Sequence, residues 1–127
     1  MEPTDNQHIF EMLAASLRAN SGDIHSWLPV LSHKLAEAFP ARSQIFHGGF
    51  FGGGPITGVL IDLDTWQFSV REEHGRIAAE RSQIVRGVAL KTERLSIDMW
   101  IEKLSLRLAE LAAENEREAN AIRALLE

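Results

Sequence analysis

The stretch Val59–Arg71, VLIDLDTWQFSVR, decides the fold. Val59, Ile61 and Leu63 alternate with Leu60 and Asp62, and Trp66, Phe68 and Val70 alternate with Gln67, Ser69 and Arg71. A period of two is that of an antiparallel strand with one buried face. Asp64-Thr65 between the two runs reads as a hairpin turn, because Asp bonds back to nearby backbone N–H groups. Downstream, His74-Gly75 is a stronger turn signal, feeding a strand from Arg76 to about Ser82 and on into Ile84–Leu90. A loop of two to four residues fits there, and its length sets which face of the fourth strand is buried. Upstream, Gln44–Phe51 reads as a weaker first strand, interrupted by Gly48 and Gly49.

The flanks change period. Thr4 or Asp5 can cap a first helix whose stripe is Ile9, Phe10, Leu13, Ala14 and Leu17, with Asn20–Asp23 as its stop. A second helix carries Ile24, Trp27, Leu28, Leu31, Leu35 and Phe39, and Pro40 ends it. Pro29 fits only a first turn, so either Ser26 is the cap or the helix kinks near Ser26–Pro29. After the sheet, Ser96 caps a helix with Asp98 in its first turn and no Gly or Pro up to Glu127. Ile97, Ile101, Leu104, Leu108 and Leu111 form its seam, widened by Trp100. The next step lands on Asn115, and Ala119, Ile122 and Leu126 resume after a slip of four residues, a coiled-coil stutter.

These elements predict one α+β domain over 1–127: helical over 1–40, a β-meander over 41–94 and one long helix over 95–127. The architecture expected is two-layered. An antiparallel meander of about four strands carries two N-terminal helices and the long C-terminal helix on one face, leaving a polar face with Gln67, Ser69 and Arg71. An unbroken helix of that length spans ~46 Å, against a diameter of ~36 Å for a compact domain of this size. The overhanging end carries Ile122, Leu125 and Leu126, which need a surface to bury against.

Composition narrows the chemistry. Zero Cys in 127 residues removes disulfides, thiolate metal sites and thiol nucleophiles. The net charge of −5 argues against a protein that coats DNA. By segment it is −3 over 1–40, −1 over 41–70, +2 over 71–94 and −3 over 95–127. The opening MEPTDNQHIFE has neither a basic region nor a long apolar run, which sets cytoplasmic location without a membrane as the expectation.

Several residues invite a functional reading. The run HGGFFGGGP at 47–55 is rich in glycine but lacks the G-K-[ST] of a phosphate loop and precedes a strand. It reads as a flexible hairpin, with Phe50 and Phe51 as a candidate apolar tip for a partner. Asp62 and Asp64 put two carboxylates on one side of a strand end, as a Mg²⁺ site or acid/base pair needs, and as turn chemistry also needs. The histidines at 8, 25, 33, 47 and 74 show no H-x-x-x-H spacing and no HExxH. Arg71, Arg76, Arg81 and Arg86 recur every five residues, interleaved with Glu72, Glu73, Glu80 and Glu93. They read either as cross-strand ion pairs or as a surface for single-stranded nucleic acid. Asn115 and Glu118 stand where a strict seam wants apolar residues. Either a buried Asn fixes register in an oligomer, or the stretch leaves the interface.

The motif Val85-Arg86-Gly87, Leu90-Lys91-Thr92-Glu93, Leu95, Asp98 and Trp100, with Met12–Arg18 near the start, resembles a small bacterial family without an assigned activity. The resemblance implies the helix, helix, meander, long helix order and supplies no catalytic residues. The chain departs from that pattern near Arg42–Gly54, where Gly and Phe replace a more basic hairpin. Physically the motif describes a joint. Gly87 marks a bulge or close approach in the last strand. Leu95 staples to Trp100 across the Ser96 cap, and Arg86, Lys91 and Glu93 form a charge cluster.

The functional expectation is a non-enzymatic interaction module with no cofactor and no metal. It self-associates, as a homodimer or with another protein, through Leu111, Asn115, Ala119, Ile122, Leu125 and Leu126 of the last helix. A nucleic-acid-binding dimer of nucleoid-associated type is the first alternative. A small hydrolase-like enzyme using Asp62 and Asp64 is the second, and it requires a concave pocket at that hairpin end.

Overall fold

The computed structural model describes residues 4–19, 23–49 and 53–126. Helices α1 (Thr4–Ala19) and α2 (Ile24–Ala38) lead into strands β1 (Ser43–His47), β2 (Ile56–Leu63), β3 (Trp66–Glu73), β4 (Arg76–Val85) and β5 (Val88–Leu95). Helices α3 (Ile97–Glu114) and α4 (Glu116–Leu126) follow. The strands form one antiparallel sheet in chain order, β1-β2-β3-β4-β5, so the α+β meander is as expected. It has five strands, not four.

The fifth strand comes from Arg86-Gly87. Both residues have positive φ, 53° and 79°, and close a two-residue hairpin between the facing Val85 and Val88. Two left-handed residues in succession match the twist of the flanking strands. Arg bears a steric cost there that Asn would not, which is why the dipeptide does not announce a turn. Gly87 is therefore a turn residue and not a bulge in a continuous strand. His74 (φ 54°) and Gly75 (φ 78°) close the preceding hairpin in the same way, which fixes that loop at two residues.

Register places Val59, Ile61 and Leu63 opposite Val70, Phe68 and Trp66, and Val70 in turn opposite Ala79. This face meets the helices. Helix α2 lies over β1 and β2, α3 over β4 and β5, and α1 packs on α3. Trp100 of α3 meets Trp27 of α2 and Phe68 of β3 edge-to-face, with ring centroids 6.5 and 6.3 Å apart. These pairings tie both helices to the sheet. The small Ala14, Ser105 and Ala109, all buried, line the α1 and α3 helices that pack together. On the other face Gly58 pairs with Phe46 and Arg71. The Arg71 guanidinium sits 4.0 Å from the centre of the Phe46 ring. A Cβ at Gly58 would lie 2.6 Å from Arg71 Cα, so only glycine fits beneath that stack.

Helix α2 begins at Ile24 behind Asp23. It keeps Pro29 inside, so neither a Ser26 cap nor a first-turn proline describes it. Ser26 instead donates its hydroxyl to Asp23 Oδ2 at 2.9 Å. At the strand-to-helix joint the cap is as expected, Ser96 Oγ accepting from Met99 N, while Leu95 packs against the core and Trp100 is fully buried.

The long helix does not exist. The chain breaks at Asn115, whose φ and ψ of −151° and 124° are extended, and α4 begins anew at Glu116. Asn115 Oδ1 accepts from Arg117 N at 2.8 Å and Glu118 N at 3.4 Å, so the residue read as a seam asparagine is the cap of a second helix. Glu118 leaves the apolar row because it binds Arg42, accepting from both Nε (3.0 Å) and Nη2 (2.7 Å). A partly buried fork of this kind anchors α4 to the start of β1. Ala119, Ile122 and Leu125 thereby enter the core of their own subunit.

Candidate interaction surface

The residues first expected to carry self-association are consumed by this rearrangement. Leu111, Ala119, Ile122 and Leu125 are buried inside the subunit, and Asn115 is exposed as a cap. They form no free seam. The Leu126 side chain, Phe50 and Phe51 lie outside the described residues. The loop that leads to those phenylalanines is pinned at its base: Gly48 N donates to the Pro55 carbonyl, and Gly54 N to the Gly48 carbonyl, each at 2.9 Å.

The two aspartates serve the β2–β3 turn. Asp62 Oδ1 accepts from Asp64 N at 3.1 Å, and Asp64 adopts φ 69°. Asp64 then lies between Arg42 Nη1 at 3.2 Å and Arg107 Nη2 at 3.8 Å. Its oxygens are thus already engaged by two guanidinium groups, whereas a general acid must reach a substrate proton acceptor directly. The cleft nearby, about 120 Å³, is lined by Trp66, Phe68, Arg81, Lys103, Leu106, Arg107 and Glu110, and neither aspartate reaches it. Among the described residues no three His, Asp or Glu come together as metal ligands. His25 faces Glu72 at 3.0 Å, His33 faces Glu37 at 3.7 Å, and His47 bonds the Gly54 carbonyl. The His8 side chain lies outside the described residues.

Of the four recurring arginines, Arg71 and Arg81 are engaged by neighbours, Arg71 by Phe46 and Glu73. Arg81 stacks on Trp66 at 4.0 Å and bonds its cross-strand partner Glu93 through Nε and Nη2, and Arg94 reaches Glu80 at 3.2 Å. The Arg81 hydrogen bonds hold the Glu93 carboxyl below the ordinary glutamate range. Arg86 stands in the hairpin turn, apart from the charge cluster expected of it.

A second groove, about 250 Å³, lies between α1 and α2 and is floored by Leu17, Trp27, Leu31 and Leu125. Its polar residues include Asp23 and Ser26, which bond each other, and nothing there resembles a nucleophile beside a base.

What remains open is the edge of the sheet. Strand β5 pairs with β4 and, among the described residues, with no other strand. Every residue from Val85 to Thr92 is exposed; Val85, Val88 and Leu90 stand 40%, 58% and 63% accessible. Leu90 has no partner in the β4 ladder, where the register slips between Gln83 and Ile84. The direction of the free backbone groups follows from the ladder. A two-residue hairpin closes on a hydrogen-bonded pair, here Glu73 and Arg76, and bonded pairs then alternate. In β4 the odd-numbered residues therefore bond β5, through Glu93 opposite Arg81 and Lys91 opposite Gln83. Thr92 and Arg94 turn their N–H and C=O outward. Sequence periodicity misses this edge because it runs β4 and β5 together. Two valines flanking an X-Gly pair at 85–88 are the signal that separates them.

Comparison with protein-family models, with characterised proteins and with solved structures finds no match for this chain. No described helix is long and apolar enough to cross a membrane.

Proposed function

We propose that this chain is a non-enzymatic protein-interaction module that takes up an extended polypeptide segment along β5. The observation that supports it most is the bare edge: an eight-residue strand with exposed Val88 and Leu90 and outward backbone groups at Thr92 and Arg94. Long apolar edges are templates for further pairing, which proteins otherwise cover or shorten. Main-chain bonds supply affinity in such complexes, and alternate side chains supply selectivity. The opposite edge, β1, has five residues and a register slip at its end, and it offers less. Catalysis draws no comparable support, since the aspartate pair is tied into its own turn and Asp64 is held by arginines. Self-association stays within the reading, carried by the sheet instead of the last helix.

The test uses an isotopically labelled chain, diluted until sedimentation shows a monomer with its β5 edge bare, and a synthetic peptide of residues 88–95, since backbone pairing tolerates many donor sequences. The peptide should slow exchange of the Thr92 and Arg94 amides and leave Ile45, which faces outward on the other edge, unchanged. Absence of any response at millimolar peptide, or a response confined to other elements, refutes strand uptake.

A further inference from the structure

Resting on strand uptake at β5, the geometry points to a second copy of this chain as the occupant, its β5 antiparallel to the first about a two-fold axis at Thr92. An isologous interface must be self-complementary, with each residue meeting a suitable partner twice. Charges on an edge strand ordinarily repel incoming strands. The order Lys91-Thr92-Glu93 is the exception, because it complements itself when reversed.

An axis at Thr92 sets Thr92 against Thr92 of the second copy, Lys91 against its Glu93 and Glu93 against its Lys91. The Thr92 pair has outward N–H and C=O on both strands and is therefore hydrogen-bonded. The Lys91–Glu93 pairs fall in the intervening wide positions, where facing Cα atoms come to about 4.5 Å and side chains are closest. Moving the axis one residue either way sets Lys91 against Lys91 or Glu93 against Glu93. It also centres the pair on residues whose backbone groups already bond β4. Both the ladder and the charges therefore select the same register.

The surrounding surface fits. Glu93 already accepts from Arg81 of its own subunit, so its carboxylate would lie between Arg81 and the incoming Lys91. The hairpin end of each copy, where Val85 and Val88 are exposed, comes beside the strand-to-helix joint of the other, where Met99 is exposed. The product is one continuous ten-stranded sheet with both sets of helices on the same side.

Because the chain has no cysteine, Thr92→Cys places a single thiol at the axis. Cα atoms in a hydrogen-bonded antiparallel pair stand about 5.5 Å apart, inside the range of about 4.4–6.8 Å that a disulfide spans. Mild oxidation should link this variant into dimers, while Ala113→Cys, exposed on α3 away from β5, stays unlinked. By sedimentation the unmodified chain should be a dimer. K91E should weaken it about tenfold, through two pairs turned from attraction to repulsion. Circular dichroism of each variant confirms folding.

A chain that stays monomeric at millimolar concentration overturns the second copy as occupant. So does a dimer that is indifferent to K91E and whose Thr92→Cys variant does not link on oxidation. If the 88–95 peptide still protects Thr92 and Arg94, strand uptake survives that result. If it does not, both readings fall.

Discussion

Ile122→Ala probes the break at Asn115 directly. Ile122 is fully buried among α4's contacts with α2 and α3, so truncation removes core volume that neighbours refill only in part. Substitutions of this kind cost about 2–5 kcal/mol. Unfolding entropy near 2.1 cal/mol/K per residue gives about 0.27 kcal/mol/K for a chain of 127 residues. A mid-range loss of about 3 kcal/mol therefore lowers Tm by about 11 °C. Because the side chain packs within its own subunit, the fall should be the same across a hundredfold range of protein concentration. Differential scanning calorimetry at both ends of that range reads it. Had α3 and α4 been one rod with Ile122 in an intermolecular seam, the variant would dissociate and its Tm loss would vary with concentration. That outcome, or a loss below about 1 °C, refutes the folded-back helix.

Three further expectations follow from single residues. Ser105 Oγ is buried and has no hydrogen-bond partner among the described residues, so Ser105→Ala should stabilise the fold by about 1 kcal/mol in denaturant titration. Gly58→Ala drives a methyl into the Arg71 backbone and the Val70 carbonyl, and should cost about 2 kcal/mol or more, read by the same titration, with loss of the Phe46–Arg71 stack. Glu93 should titrate by carboxyl NMR below the ordinary 4.5, because Arg81 hydrogen bonds favour its anion. Its contribution to stability is then complete above that unfolded value and disappears as pH falls through the lower folded one. Glu93→Gln should flatten that part of the acid limb.

Alternation in Val59–Arg71 is enough to place two strands and their shared buried face, because only the strand, among regular backbones, repeats every two residues. The Ser96 cap is equally readable, being a local rule that tertiary packing does not override. The fifth strand and the helix break are hidden for a common reason: at each, a weak local signal sits inside a stronger period. Arg86 is a poor left-handed residue, so the hairpin at 86–87 depends on Gly87 and on the Val85–Val88 pair more than on its own chemistry. Asn115 satisfies the seven-residue seam well enough to hide the pattern Asn-x-x-Glu at 115–118, a helix-start signature. The long-range partner of Glu118, Arg42, lies 76 positions away, and no local period reports it. The β5 edge is invisible for as long as β4 and β5 count as one strand.

The meander has a kinetic corollary. Every strand pairs with its immediate successor, and the last three connections are two residues each, so closing those loops costs little chain entropy. Such a sheet can zip from hairpin to hairpin in the order of synthesis, with low contact order. The helical layer is different: α4 emerges after the whole sheet, yet it completes the core over α2. A nascent chain will thus carry a finished sheet under an unfinished roof, open to chaperones until Glu118 meets Arg42.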